Sequence, residues 1–267
     1  MAKKSSKKIK EYIEDAPKDL TEHIFHGLIL DEKQRHFRDC IWSDDYDIIF
    51  CDARAGTGKT LIALATANLL YKYNEKYDGI IYVVAPTQEQ KIGYLPGDID
   101  DKVSPYISPI KDALLKININ PDDVIIQCAQ NAEELKEKDH YINCISHIYL
   151  RGCNFDNKIV IIEEAQNMYL DELKKTLTRV NPTCKIIVIG HTGQCDLYKN
   201  PNRSGFGIYK RWYSTRQRSA ICELTEVYRS WVAKYADDLD TDALCEYLNE
   251  HKDINVNDID LDKFLMK

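Results

Sequence analysis

No two of the nine cysteines form a C-x-x-C pair, so local spacing builds neither a zinc knuckle nor a thioredoxin-like motif. No apolar run approaches the roughly 18 residues of a membrane span. The lysine-rich start, Lys3 to Lys10, is not followed by the apolar stretch of a secretory signal. Glycine (11) and proline (8) are sparse over 267 residues, leaving no linker to split the chain, and no segment repeats. A basic excess is missing too: Lys+Arg 36 against Asp+Glu 43 gives a net charge of −7, which disfavours a body that grips duplex phosphates non-specifically. What remains is a cytoplasmic chain with no membrane partner, 44% hydrophobic and able to bury a real core.

The charge is unevenly laid out. Residues 1–10 carry five lysines, whereas residues 236–267 hold ten acids against three lysines. These ends read as a flexible basic arm over 1–20 and an acidic C-terminal tail over 236–267, flanking one domain at 21–235. Within that domain short apolar runs predict strands at Asp47–Cys51, Ile80–Val84, Val124–Gln127, Ile145–Leu150, Lys158–Ile162 and Lys185–Ile189. Helix-like stretches occur at Asp31–Trp42, Lys59–Tyr73, Glu133–Glu137 and Leu170–Val180. Almost continuously apolar strands alternating with helices predict an α/β fold with a mostly parallel central sheet.

The run Ala53-Arg54-Ala55-Gly56-Thr57-Gly58-Lys59-Thr60 follows one such strand and opens a helix, the setting a P-loop requires. Its small residues let backbone N–H groups close around phosphate oxygens, and the helix points its positive end at them. Lys59 is expected to reach the β and γ phosphates of ATP, and the Thr60 hydroxyl to ligate Mg²⁺. Ala53 stands where such loops usually begin with glycine. Downstream, the strand Lys158–Ile162 runs into Glu163 and Glu164. Glu163 is expected beside the metal and Glu164 as general base toward the attacking water. At the end of the last predicted strand, Gln194 stands where an amide could sense the γ phosphate, close to His191. Arg229, after Tyr228, could neutralise charge on that phosphate.

Several stretches together resemble the PhoH-like family of P-loop ATPases: Gly93-Tyr94-Leu95-Pro96-Gly97-Asp98 with Lys102-Val103-Ser104-Pro105-Tyr106, Ala55 to Thr60, Tyr149-Leu150-Arg151-Gly152, Glu164-Ala165-Gln166-Asn167 and Thr225-Glu226-Val227-Tyr228-Arg229. They stand in the family's order and span about Gln34 to Arg229. The resemblance implies a RecA-like domain related to the first motor domain of superfamily 1 helicases. It implies that Gln34 reads adenine, that Tyr228 stacks on the base, and that Gln194 and Arg229 face the γ phosphate. It further implies RNA or single-stranded nucleic acid as a partner and a ring-shaped homo-oligomer, a hexamer among the options. Two positions depart from the pattern: Glu163 replaces an aspartate, and His191 replaces the aspartate after the glycine of the third motif. Both predict nucleotide binding with slowed hydrolysis.

Three activities fit these residues: an Mg²⁺-dependent ATPase; a helicase-like motor, for which Pro86-Thr87-Gln88 would touch the strand; and a slow or non-catalytic ATP-dependent oligomeric switch. Arg203, Arg211, Arg216 and Arg218 are candidates to reach a neighbouring subunit's site, or simply form a solvated face.

Overall fold

The computed structural model describes residues 16–85, 99–128, 130, 133–150, 152–194, 204–239, 241–251 and 253–265, with the backbone alone at 99–106, 136–137, 237, 241–242 and 256. The arm at 1–15, Pro86-Thr87-Gln88, the 92–98 stretch, Arg151 and Arg203 lie outside the described residues. These residues fall into two compact units, one ending at Thr225 and one spanning Glu226–Lys267.

In the first unit, β1 (Ile48–Ala53), β2 (Gly79–Val84), β3 (Ile142–Ser146), β4 (Lys158–Ile162), β5 (Lys185–Gly190) and β6 (Ser219–Leu224) form one sheet. Its order is β3-β2-β4-β5-β1-β6 and every pairing is parallel. β1 and β2 are buried at every position, which is why they read as unbroken apolar runs rather than alternating ones.

The pleat sends neighbouring residues to opposite faces. Ile49 and Cys51 face the layer of α1 (Glu32–Trp42), α2 (Lys59–Tyr73) and α3 (Ile99–Lys116). Between α3 and β3 lie two short helical turns, α4 (Pro121–Val124) and α5 (Glu134–Glu137). Ile48 and Phe50 face the other layer, built from α6 (Leu170–Leu177) and α7 (Gly205–Tyr213). Fully burying one such aliphatic side chain is worth about 2 kcal/mol, so two-sided burial holds the layers together. A parallel sheet covered on both faces, with the glycine loop between β1 and α2, is the RecA-like P-loop NTPase fold.

Several predicted boundaries shift. Val124–Gln127 is not a strand: Asn120 caps α4 by accepting from the Asp122 N–H (3.3 Å), and Pro121 is pre-set for a first helical turn. Ile125 makes an isolated bridge to Ile142, and a 3₁₀ turn follows at Ile126–Cys128. The strand expected at Ile145–Leu150 ends at Ser146, and His147–Leu150 is a 3₁₀ turn. Leu20 is buried in the core, and the Arg38 Nη1 donates to its carbonyl (2.7 Å).

α1 is fastened at both ends. Asp31 and Gln34 form a reciprocal capping box at its start. At its end the buried Lys185 ammonium donates to the carbonyl oxygens of Ile41 (2.8 Å) and Ser43. The second unit contains α8 (Trp231–Asp237), capped by Ser230, and α9 (Thr241–Glu250), so the acidic segment carries helix. Within that unit Tyr247 packs on Phe264 at 5.3 Å, and Leu239 bridges Leu265.

Candidate nucleotide site

β5 lies between β1 and β4, so the ends of all three strands meet on one edge of the sheet. Ligand sites of open parallel sheets form at the carboxyl ends of the strands. The loop Arg54–Gly58 leaves β1 there. Gly58 has φ +84°, a conformation that only glycine takes without strain, and a Cβ on it would lie 3.3 Å from the Gln34 Nε2. No side chain caps the first turn of α2, which leaves its N–H groups to the loop. Thr57 is wholly buried, and its hydroxyl donates to the Arg54 carbonyl (2.9 Å), fixing the loop from inside.

Gln34 reaches this loop from α1. Its Nε2 donates to the Thr57 carbonyl (2.9 Å), while its Oε1 accepts from the Asp31 N–H (3.1 Å).

The two adjacent carboxylates after β4 take different directions. Glu163 continues the strand, its N–H donating to the Val83 carbonyl (2.9 Å), and its side chain turns inward. The Thr60 hydroxyl donates to Glu163 Oε1 (3.0 Å) and the Tyr82 hydroxyl to Oε2 (3.0 Å). The Glu163 carboxyl thus spans both hydroxyls. Burial and then the charge of Glu164 push the Glu163 carboxyl up to about 7, against the pull of Lys59 and the two hydroxyls. Glu164 sits at φ +50°, ψ +42°, a left-handed conformation that costs a residue with a side chain on the order of 1 kcal/mol. That kink swings its carboxylate outward, 3.7 Å from the Lys59 ammonium and within a hydrogen bond of the Gln166 Nε2.

A second polar cluster stands at the end of β1. Asp52 is buried and accepts from the Thr192 N–H (3.0 Å) and hydroxyl (2.8 Å). It also pairs with the Lys210 ammonium of α7, and His191 Nδ1 lies 3.4 Å away. Burial works against its charge, but the hydrogen bonds from His191, Lys210 and Thr192 together outweigh it and hold the carboxyl well below the usual range. Gln166 links the β4 and β5 ends, its Oε1 accepting from the His191 N–H (3.1 Å). A Cβ on Gly190 would fall 2.8 Å from that oxygen and 3.2 Å from the Gln166 backbone nitrogen, so a side chain there would push Gln166 off its bond to His191.

Of the residues singled out in the sequence, Gln34, Ala53 to Thr60, Glu163 and Glu164 converge. Gln194 is exposed in the turn after β5, where its N–H donates to the His191 carbonyl (3.3 Å). Tyr228 and Arg229 are exposed and belong to the second unit. Arg218 is bound to Asp47 by two hydrogen bonds (2.6 and 2.7 Å) and Arg216 lies over the Trp212 ring, as a solvated face would have them. Asp52, Tyr82, Thr192 and Lys210 were not singled out, nor was Gln166 given a role within its motif. Asp52 carries the one visible signal, a lone acid in an otherwise apolar strand immediately before the loop.

The family model for PhoH-like protein matches residues 29–238. A PhoH-like protein of Synechocystis sp. is 34% identical over 181 residues, 68% of this chain and 52% of that one. Protein PhoH of Escherichia coli (strain K12) is 33% identical over 174 residues, 64% of this chain and 45% of its own length. The chain thus spans about half the length of these curated relatives. A crystal structure of Pif1 helicase from Candida albicans aligns over 80% of this chain and 44% of that one, with a TM-score of 0.38 and 17% identity. Among the described residues no helix is long and apolar enough to cross a membrane. With the match covering most of its length, and with loop, lysine and paired carboxylates assembled on one sheet edge, the chain belongs to the PhoH-like family of P-loop NTPases.

Proposed function

We propose that this chain is an Mg²⁺-dependent ATPase. The observation that carries the reading is the convergence of Thr60 and Glu163 (3.0 Å) beside Lys59 and Glu164 (3.7 Å), at the mouth of the loop. A hydroxyl and a carboxylate are the hard oxygen donors Mg²⁺ prefers, and a dication would hold ionised a carboxyl that burial and Glu164 push up. When bound, Mg²⁺ neutralises charge on the β and γ phosphoryl oxygens.

The remaining work falls to the chain. Loop N–H groups and the first turn of α2 bind the phosphates, and Lys59 exchanges its pairing with Glu164 for phosphate oxygens. Glu164, released from Lys59 and steadied by Gln166, accepts the proton of the attacking water. Gln194 and Arg229, or an arginine from another subunit, are assigned to the γ phosphate, and Gln34 and Tyr228 to the base. The resemblance extends the proposal to stimulation by RNA or single-stranded nucleic acid and to a ring-shaped homo-oligomer.

Phosphate release is the direct test. Lys59→Ala should abolish turnover, and Glu164→Gln should keep nucleotide binding while lowering turnover at least about 100-fold. Hydrolysis at the parental rate in Lys59→Ala would end the assignment. Glu163→Asp should raise turnover; no change or a fall removes the proposed slowing. Turnover unmoved by added RNA or single-stranded DNA removes the motor reading. Light scattering with and without ATP tests assembly.

A further inference from the structure

His36, Cys40 and Cys222 are brought together although no local cysteine motif exists. His36 and Cys40 stand one helical turn apart on α1 and so share a face. Cys222 lies on β6, in the core face that α1 covers. One nitrogen or sulfur atom from each residue lies within 4.8 Å of the other two, and among the described residues this is the one such group. Cys40 Sγ is 3.6 Å from His36 Nε2.

We propose that these three side chains form a binding site for a borderline-soft divalent cation, Zn²⁺ in the first instance, that ties α1 to β6. The distances suit it. Around tetrahedral Zn²⁺, with Zn–S about 2.3 Å and Zn–N about 2.1 Å, sulfur and nitrogen stand about 3.6 Å apart. The donor chemistry suits it as well. One imidazole and two thiolates favour Zn²⁺ over Mg²⁺, so the site does not compete for the oxygen-binding ion assigned to Thr60 and Glu163. Three protein ligands leave a fourth position for water, and the exposed His36 provides the entry path into an otherwise buried pair of thiols.

The protons are accounted for. Contact with Cys222 lowers the Cys40 thiol, while the same contact and burial raise that of Cys222. The ion takes two thiolates and a neutral imidazole and releases the thiol protons to solvent, with no change of oxidation state. Cys51, the register partner of Cys222, is pushed far up by burial and stays a protonated thiol. The ion would add a third fastening to α1, the helix whose Gln34 holds the Thr57 carbonyl.

The full chain, reduced and without a histidine tag, is titrated with Co²⁺ as the spectroscopic probe. Expected are one ion per chain, thiolate-to-cobalt charge-transfer absorption, and displacement by Zn²⁺. Cys40→Ser and Cys222→Ser should weaken binding at least about tenfold. His36→Ala changes an exposed side chain and keeps the test decisive where a buried cysteine variant fails to fold. It should also weaken binding, and it should remove the rise in unfolding midpoint that Zn²⁺ gives the parent. No thiolate absorption, or absorption unchanged by His36→Ala, overturns the site. So does recovery of a Cys40–Cys222 disulfide from a chain that takes up no metal.

Discussion

Asp52 and Glu163 stand on the same edge of one sheet, at the end of β1 and just past β4, and are nearly equally buried, 8% and 6% exposed. Their protons nonetheless move in opposite directions. Asp52 is held well below the usual carboxylate range, while Glu163 is pushed up to about 7. Burial opposes the charge at both, and the partners decide whether it is overcome. Asp52 has the Lys210 ammonium and both hydrogen-bond donors of Thr192. Glu163 has two hydroxyls and a second carboxylate as its neighbour. The first is an anion that the fold itself completes, a brace tying β1 to α7 and to the turn after β5. The second is a carboxyl whose charge the fold leaves uncompleted, held back by burial and by Glu164.

The contrast can be broken at each carboxylate. The largest effect is expected from Glu163→Gln, which keeps the shape and removes the charge. Mg²⁺-dependent phosphate release should fall at least about 100-fold, while a fluorescent ATP analogue still binds. Parental turnover would show that Glu163 is no more a metal partner than Asp52 is. Asp52→Asn should leave Lys210 only the exposed Glu223 carboxylate at 4.0 Å and cost about 2 kcal/mol in urea unfolding. Adding Lys210→Met should recover much of that loss, and simple additivity of the two would refute the brace.

Opposite proton shifts give opposite pH slopes. The Asp52 contribution is present above its unfolded pKa of 3.8 and is lost as pH falls below it. In EDTA the Glu163 contribution runs the other way, fully present below 4.5 and lost as pH rises through about 7. Urea titrations across pH 3 to 8 should therefore flatten at the acid end in Asp52→Asn and between 4.5 and 7 in Glu163→Gln. Tyr82→Phe is the mildest probe. Removing one hydrogen bond to Glu163 should cost about 1 kcal/mol or less and leave the unfolding midpoint close to the parental one.

The parts of the molecule that sequence made legible are those whose cause is local. Lys59–Tyr73 and Lys158–Ile162 have the bounds that their apolar patterns and the glycine loop predict. β6 was not predicted, because its polar Ser219 and Glu223 break the apolar run that the other strands show. The Val124–Gln127 run has the apolar pattern of a strand, but capping by Asn120 and Pro121, just upstream, outweighs it. In the site, Lys59, Thr60, Glu163 and Glu164 announce themselves through the loop and the strand end. Lys210 cannot, since its partner Asp52 lies 158 residues away and only the packing of α7 brings them together. The triad of His36, Cys40 and Cys222 escapes local spacing for the same reason.

Gln34 carries a consequence for base choice. Its amide is engaged at both ends, giving one hydrogen bond to the Thr57 carbonyl and taking one from the Asp31 N–H. An amide nitrogen has a second hydrogen and an amide oxygen a second lone pair, so a base that docked there would be met by a donor and an acceptor already held in place. Adenine offers an acceptor at N7 and a donor at N6 and would match both. Guanine offers acceptors at both N7 and O6 and leaves Oε1 facing another oxygen, a mismatch of about 1–3 kcal/mol. Because the same amide nitrogen also holds the Thr57 carbonyl, a base read there would be coupled to the position of the phosphate loop.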